Sequence, residues 1–531
     1  MKMRPTVLRV LSALAKTLGA GLMLWLVKTL MIWKRAKAKF IARNPHLNNE
    51  LLEKCGPLGV LPKFWKNFHR LLEFKMELSN EYGATHARTG PAYDGKSSLV
   101  VSTQDPVVIK HILKTHADNY LKGPLLVSLL KPMLGRGIFN INHGPHASDN
   151  GDLWYFQRKV ASKMFTRRMF TGQLYEALCK NSVKVAKTLE NANGKRVDLK
   201  PLCYKFTLDS IGTVGFGIDL KSLDEPGQLE FEEAFDAAVH LTIKSAMLPF
   251  RKYIGFMHPI QRTLKAKTKV LDRFCYRVID ERLRDLKVAS KSDVLSLFIS
   301  EIRSKGPRSK QLFCNKQEEM TFFRDAAMNF LVAGRDTTAC TLSFVFYLLA
   351  LHPDKQQLLY EEIKSEAPED GTPPTQIQLK SGFQYLKAVV NETLRMYPPV
   401  PSDSKMTVED DIIPDAQGGP LCLPAGCRVI FEPYLMGRNE NLWGKDANEF
   451  KPERWLGENK ANPSEFEMPT FQPGKRVCLG QDLAKYESYV FTVELIRRFH
   501  FELDRPVFEV PYQSGVTLSL KGDLPVIATS R

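Results

Sequence analysis

Apolar residues recur every three or four positions along most of this chain, which is the spacing of amphipathic helices packed on a common core. Strand-like segments, by contrast, are short and scattered: SSLVVS (97–102), CRVIFE (427–432) and VTLSL (516–520). The pattern therefore predicts a mainly α fold with a small β-rich part. The longest helical runs cover residues 152–170, 174–191, 227–246, 258–287, 318–351, 354–367 and 380–396.

The N-terminal segment is apolar and basic. Its longest uncharged run, TLGAGLMLWLV (17–27), is shorter than the ~20 residues of an unbroken membrane helix, although lysines near the ends can reach the interface. A basic flank, KRAKAKFIAR (34–43), follows the apolar segment. We predict a membrane anchor over residues 1–44, with an organelle transit peptide or a plain helix as alternatives. A Pro/Gly hinge over residues 45–62 and one large domain over 63–531 complete the predicted organisation.

Charge and cysteine content narrow the functional classes. The 531 residues include 75 Lys and Arg against 58 Asp and Glu, and every acidic residue lies at or after Glu50. Because much of the excess charge lies in the N-terminal tail, nucleic acid is not an expected partner. The nine cysteines contain no CxxC pair, so neither a disulfide framework nor a structural zinc site is expected. No glycine-rich nucleotide fingerprint is present, so we expect no direct binding of a nucleotide.

One cysteine has a distinctive setting. Phe471, Gly474, Arg476, Cys478 and Gly480 form F-x-x-G-x-R-x-C-x-G directly before a predicted helix. The glycines would let the backbone approach a flat, bulky group. Backbone N–H groups at a helix start, beside basic residues, should lower the thiol pKa and favour the thiolate. Such a thiolate is suited to be the axial ligand of a haem iron.

This loop resembles the haem-binding loop of cytochrome P-450 enzymes. The resemblance implies haem b with the Cys478 thiolate on its iron, and Phe471, Gly474 and Gly480 around the cofactor. It also implies the cytochrome P-450 fold, a single large domain preceded by the N-terminal anchor helix.

A second motif lies in VVNETLRMYPPVP, where Glu392 and Arg395 share one helix face. It resembles the E-x-x-R helix of the family. By that resemblance, Arg454 in FKPERW would complete a buried triad that holds the core around the cysteine loop and does no chemistry. Trp455 stands where the family often has phenylalanine.

A third motif, AGRDTT (333–338), interrupts a long apolar helix. A threonine hydroxyl that bonds to the preceding turn would bend this helix. The motif resembles the oxygen-activating segment of the family. The resemblance implies that Gly334 leaves space for dioxygen, while Asp336 and Thr337 relay protons to it.

A fourth motif, W-x-x-x-R, places Trp154 and Arg158 on one helix face. Buried haem propionates need cationic or N–H donors. By resemblance, Trp154, Arg158 and Arg476 supply them, together with Lys405, which stands where related enzymes often have arginine.

The segment before this motif, NINHGPHASDN, departs from the usual short spacer of the family. It contains His143 and His146. Its turn-rich composition predicts a solvated loop rather than a metal site, and it leaves the geometry of substrate entry open.

Longer segments around these motifs, among them AGRDTTA and ETLRMYPPVPSDSK, resemble the fatty-acid omega-hydroxylase clan. The resemblance implies a monooxygenase that inserts one oxygen atom from O2 into a lipophilic substrate, with a long-chain fatty acid hydroxylated at or near its terminal carbon. Electrons would come from NADPH through NADPH–cytochrome P-450 reductase, with cytochrome b5 as an optional partner. The expected location is the endoplasmic reticulum membrane with a cytosol-facing haem domain, or else a mitochondrial or plastid membrane.

Three other functions stay open from the residues alone. The first is a monooxygenase of another lipid, such as an alkane, sterol or terpenoid. The second is a reductase-independent enzyme that rearranges fatty acid hydroperoxides, although such family members usually lose the acid–threonine pair. The third is a haem sensor without turnover.

Overall fold

The structure is a computed structural model that describes residues 27, 31, 34–55, 59–89, 99–149, 151–165, 172–225, 227–246, 258–284, 293–304, 313–416, 418–505 and 507–531. Most of the predicted membrane anchor, including nearly all of its apolar segment, lies outside these residues. Its basic flank, residues 34–43, is helical. In the described part of the chain, no helix is both long and apolar enough to cross a membrane.

The described helices dominate the chain, as the apolar spacing predicted. They are Glu50–Lys54, Leu61–Lys66, Leu71–Tyr82, Pro106–Lys110, Gly123–Leu134, Asp152–Ser162, Gln173–Ala192, Leu199–Phe216, Glu230–Ala246, Pro259–Arg284, Val294–Ser304, Lys316–Leu331, Thr337–Leu351, Pro353–Glu366, Gln376–Ser381, Gln384–Met396, Pro433–Met436, Glu440–Trp443 and Gln481–Ile496.

The strands are short, also as predicted. In chain order they are β1 (Thr85–Thr89), β2 (Leu99–Thr103), β3 (Tyr120–Leu121), β4 (Arg196–Asp198), β5 (Asp403–Thr407), β6 (Asp411–Ile413), β7 (Leu421–Leu423), β8 (Arg428–Phe431), β9 (Phe499–Leu503), β10 (Tyr512–Gln513), β11 (Ser519–Leu520) and β12 (Pro525–Ser530).

The chain groups into two compact units. The first comprises Met1–Ile112, Asn119–Leu125 and Ser404–Phe431, and the second comprises Leu113–Asp118, Leu126–Asp403 and Glu432–Arg531. Both units are discontinuous in sequence. The linear pattern of apolar residues cannot show that the chain leaves a unit and later returns to it, and the predicted hinge and single large domain stay predictions.

The first unit contains a five-stranded sheet in the order β1–β2–β8–β5–β3, in which β2 and β8 are parallel. The β6–β7 hairpin also belongs to it. Its apolar side chains include a buried cluster of Leu51, Phe74 and Leu78. The basic flank is bound within this unit, because Lys39 and Arg43 each donate to Asp410 at 2.8 Å. The Lys39 ammonium is the main reason that the pKa of Asp410 lies well below its usual range.

The second unit is built around one long helix, formed by Lys316–Leu331, a π-helical turn at Val332–Asp336, and Thr337–Leu351. We call these three segments together the central helix. Its C-terminal half is buried on all sides, as expected for a helix without a polar face. The helices Leu199–Phe216, Gln384–Met396 and Gln481–Ile496 pack against it. The helix that follows the cysteine loop is thereby held against the segment that carries AGRDTT. The second unit also contains a three-stranded sheet, β4–β12–β9, and the β10–β11 pair.

Candidate functional site

The cysteine loop is fixed by its own backbone. A 3₁₀ turn at Gly474–Arg476 precedes Cys478, and the helix Gln481–Ile496 begins three residues after the cysteine. The Cys478 N–H donates to the carbonyl oxygen of Phe471 at 2.8 Å, which closes the loop. The sulfur is therefore held on a turn directly before a helix N-terminus.

The pKa of the Cys478 thiol differs from the prediction. We expected it to be lowered, but burial raises it above its ordinary value, and the Gly480 N–H and the Arg158 guanidinium only partly oppose this effect. The residue nevertheless keeps exposed surface. A sulfur with protein on one side and solvent-accessible surface on the other has both the pKa raised by burial and the exposed surface. The pKa is raised because the free-energy cost of removing a thiolate from water exceeds the stabilisation that the Gly480 N–H and the Arg158 guanidinium provide.

The two glycines of the loop have different surroundings. Gly474 has φ +82°, and a Cβ there would lie 2.0 Å from the carbonyl oxygen of Leu113, so close backbone packing requires this glycine. A Cβ on Gly480 would meet nothing closer than Phe165 at 3.6 Å and would lie 4.0 Å from the Cys478 sulfur. Gly480 thus leaves space beside the sulfur. The Phe471 ring lies under the Lys485 ammonium, 5.5 Å away, and its role at the cofactor stays a prediction.

The structure brings three of the predicted propionate ligands together beside this loop. Nη2 of Arg158 donates to the carbonyl oxygen of Val477 at 2.7 Å. The guanidinium carbons of Arg158 and Arg476 lie 5.6 and 4.9 Å from the centre of the Trp154 ring. Burial lowers the pKa of Arg158 and lowers that of Arg476 to about 10. We call these three residues the cationic cradle.

The cradle fits a cofactor that carries carboxylates. Among the described residues, no carboxylate lies within ion-pair distance of Arg158 or Arg476. Arg158 is half-buried and Arg476 is largely buried, and the Asp403 carboxylate only partly opposes the lowering of the Arg476 pKa. Burial of such cations is costly unless another anion pairs with them. Two propionates would supply such charges.

Lys405 belongs to the first unit, where it is buried with its ammonium 5.9 Å from the Phe431 ring. Its predicted contact with a propionate stays a prediction.

The AGRDTT motif lies at the π-helical turn. Thr337 donates its hydroxyl to the carbonyl oxygen of Ala333 at 2.5 Å, so the predicted bond to the preceding turn is present. The helix is π-helical there, and the predicted bend stays a prediction. A Cβ on Gly334 would lie 2.6 Å from Ile211, a residue of the helix Leu199–Phe216. Gly334 is therefore required for helix packing. This role differs from leaving space for dioxygen, which stays a prediction.

Asp336 is a buried acid with an intermediate pKa. It accepts hydrogen bonds from Arg335 at 3.0 Å and from the Thr517 hydroxyl at 3.3 Å. Burial raises its pKa to about 6, and Arg335 limits the rise. Such a group exchanges protons near neutral pH. Sequence reasoning missed Arg335, which is buried between the rings of Tyr204 and Phe235.

The structure also brings the predicted triad together. Arg395 donates to both carboxylate oxygens of Glu392 at 2.8 Å, and Arg454 donates to the same carboxylate at 3.0 Å. Glu392 and Arg395 are fully buried. Nε1 of Trp455 also donates to this carboxylate at 2.9 Å, a contact that was not predicted from the sequence. Arg395, Arg454 and Trp455 all donate to the Glu392 carboxylate, which joins the four side chains in one hydrogen-bonded cluster.

The prediction of a solvated loop was wrong for His143. This side chain is buried against the Trp154 ring, with 5.0 Å between ring centroids, whereas His146 is exposed. The position of His143 shortly before the Trp154 helix was the available signal. The prediction rested on the turn-forming neighbours of His143 alone and did not use that signal.

Comparison with known proteins agrees with this site. The model of the cytochrome P-450 family matches residues 59–524. The chain is 35% identical over 501 residues to cytochrome P-450 704C1 of Pinus taeda, covering 88% of this chain and 90% of that protein. It is 32% identical over 448 residues to cytochrome P-450 94C1 of Arabidopsis thaliana, covering 81% of this chain and 85% of that protein.

The chain therefore belongs to the cytochrome P-450 family and is a haem-thiolate monooxygenase. These relatives support both the superfamily and the clan that the motifs indicated. In this family, a haem bound through a cysteine thiolate supplies the oxygen-activating iron. In this chain Cys478 is the residue suited to hold the iron, and Arg158 and Arg476 are suited to hold the propionates.

Proposed function

We propose that this monooxygenase hydroxylates a long-chain fatty acid at or near its terminal carbon. The resemblance of AGRDTTA and ETLRMYPPVPSDSK to the fatty-acid omega-hydroxylase clan supports this substrate class. Electrons come from NADPH through NADPH–cytochrome P-450 reductase, with cytochrome b5 as an optional second donor. The enzyme resides at the endoplasmic reticulum membrane with its haem domain towards the cytosol, and a mitochondrial or plastid membrane is the alternative.

One observation carries the oxygen-activating role. Asp336 is a buried acid with a pKa of about 6, directly before Thr337 in the irregular turn of the central helix. An acid that exchanges protons near neutral pH, followed by a hydroxyl that can also accept a hydrogen bond, provides a route for protons towards bound oxygen. Hydroperoxide rearrangement consumes no such protons, so the pair favours the monooxygenase over that alternative.

The test uses the full chain with reductase and NADPH. A long-chain fatty acid, an n-alkane, a sterol, a terpenoid and a fatty acid hydroperoxide are compared by substrate-induced spectral shift, oxygen consumption and mass spectrometry of products. We expect NADPH-dependent hydroxylation of the fatty acid at or next to its terminal carbon.

Other outcomes contradict the proposal in distinguishable ways. Product from only the alkane, sterol or terpenoid would assign a different lipid class. Turnover of the hydroperoxide without reductase would assign a rearrangement. Absence of oxygen consumption with every lipid would favour the sensor.

A further inference from the structure

We propose that the insertion before the Trp154 helix retains the cofactor, because His143 positions Arg476 for a haem propionate. The inference rests on the haem of the family and not on the proposed fatty acid substrate. It gives a role to the segment that departs from the short family spacer, which the structure describes as far as Asp149.

The insertion and the residues before it bind the Arg476 side chain. Its Nε donates to Nδ1 of His143 at 3.0 Å. Its Nη2 donates to the carbonyl oxygen of Ile141 at 2.5 Å, and its Nη1 makes a longer bond of 3.4 Å to that of Ile138. A guanidinium has five N–H donors. Within the described part of the chain, three are engaged here and two remain, which is the number that a carboxylate needs for bidentate binding.

The hydrogen bond to Arg476 also determines which tautomer of the neutral His143 ring is present. Because the Arg476 Nε–H donates, Nδ1 of His143 is an acceptor, and the proton of the neutral ring is on Nε2. That nitrogen lies 4.0 Å from a carboxylate oxygen of Asp118. The ring also packs on Trp154, so one side chain contacts two members of the cationic cradle.

The surrounding backbone leaves little space for movement. Gly144 has φ +80°, and a Cβ there would lie 2.7 Å from Asp118 Oδ1. A Cβ on Gly151 would lie 2.6 Å from the backbone nitrogen of Gly144. Asp118 in turn accepts from the Lys475 ammonium at 2.7 and 2.8 Å. The insertion is therefore packed against a residue that binds the cysteine loop.

The contacts that hold Arg476 should make haem binding tighter. A long arginine side chain loses rotamer freedom when it binds a carboxylate, and this loss weakens the complex. Since His143, Ile141 and Trp154 already hold Arg476, less freedom remains to be lost when the haem binds. Removal of the His143 acceptor should therefore speed haem dissociation.

The experiment compares three variants of the holoenzyme. His143→Phe keeps a ring on Trp154 but removes the acceptor, whereas His143→Asn removes the ring but keeps an acceptor near the position of Nδ1. His146→Ala, in the exposed part of the insertion, is the matched control. The rate of haem transfer to excess apomyoglobin is measured without substrate or reductase, so the result does not depend on the proposed fatty acid activity.

We expect His143→Phe to speed haem transfer about tenfold, the factor expected for one hydrogen bond that involves a charged group. His143→Asn should stay within about twofold of the unaltered protein, again by the size of a retained bond. His146→Ala should not change the rate. A wild-type rate for His143→Phe would overturn the proposal, and so would a rate for His143→Asn as fast as that of His143→Phe.

A double-mutant cycle keeps the proposal testable if His143→Phe does not fold. His143→Ala is combined with Arg476→Ala, and the haem transfer rates of the single and double variants are compared. If His143 acts through Arg476, its replacement should have no further effect once Arg476 is alanine. Additive effects of the two changes would overturn the proposal.

Discussion

Arg158 donates a hydrogen bond to the carbonyl oxygen of Val477, the residue directly before Cys478, at 2.7 Å. The bond joins the helix Asp152–Ser162 to the loop that carries the proposed iron ligand. The negative charge of a Cys478 thiolate would also raise the pKa of Arg158, opposing the effect of its burial. One side chain thus connects the cationic cradle to the cysteine loop.

Replacement of Arg158 should therefore weaken haem binding. Arg158→Ala removes a charge-assisted hydrogen bond, worth ~1.5–3 kcal/mol, and Arg158→Lys should recover only part of it because a lysine lacks the planar fork. The measurement is haem bound per polypeptide after purification at a fixed haem supply. Lys159→Ala, an exposed neighbour on the same helix, is the control. Full haem content in Arg158→Ala would contradict the prediction.

Replacement of Glu392 should destabilise the fold. Its carboxylate compensates the buried Arg395 and accepts from Arg454 and Trp455. Glu392→Gln should lower the free energy of unfolding by ~3–5 kcal/mol, because it leaves a buried guanidinium without its counter-charge. Denaturant unfolding measures this effect, with Glu440→Gln on an exposed helix start as control. Equal stabilities of the two variants would argue against the triad.

The buried carboxyl of Glu487 should make the free energy of unfolding depend on pH. It lies on the helix after the cysteine loop, hydrogen-bonds to Thr338 of the central helix, and has its pKa raised by burial from 4.5 to about 8. Below pH 4.5 both the folded and the unfolded state are protonated. As the pH rises from 4.5 to 8, only the unfolded state releases the proton, so stability is lost at ~1.4 kcal/mol per pH unit.

The test compares the unaltered protein with Glu487→Gln, which cannot titrate. Between pH 5.5 and 7.5 the unaltered protein should lose about 2–3 kcal/mol relative to the variant, measured by denaturant unfolding. Parallel pH curves for the two proteins would show that this carboxyl has no raised pKa.

Replacement of Thr337 should affect the use of electrons more than haem binding. Thr337→Ala removes the hydroxyl next to Asp336, so proton delivery should fail and NADPH oxidation should release peroxide instead of product. The ratio of hydroxylated product to NADPH consumed measures this coupling. Ser343→Ala removes a similar hydroxyl, bonded to the Ala339 carbonyl on the same helix, and should leave the ratio unchanged. A Thr337→Ala ratio equal to that of the unaltered protein would contradict the relay.

The sequence predicted which residues of this site lie together, in part because many of them are close along the chain and, for Arg454 and Arg476, because the motifs resemble those of the family. Trp154 and Arg158 are one helical turn apart, and so are Glu392 and Arg395, so their shared faces follow from helix periodicity. Cys478 was identified by neighbours within seven positions. For the same reason the helices and short strands of the fold were largely predictable from local pattern.

Properties that depend on packing between distant residues, and that no family motif indicates, were not predictable. Gly334 is required because Ile211 of another helix occupies the space beside it. The Cys478 thiol has a raised pKa because burial outweighs the nearby donors, and the sequence shows the donors but not the burial. His143 is buried through contacts with Arg476, which is more than three hundred positions away in the sequence. Each of these facts comes from packing rather than spacing.

The central claim is that Cys478 holds a haem iron through its thiolate. The most direct test is the reduced carbon monoxide difference spectrum of the unaltered protein and of Cys478→Ala, with Cys422→Ala as a control at another partly exposed cysteine. We predict the red-shifted band of a thiolate-ligated haem in the unaltered protein and in Cys422→Ala, and its loss in Cys478→Ala. The same band in Cys478→Ala would contradict the assignment.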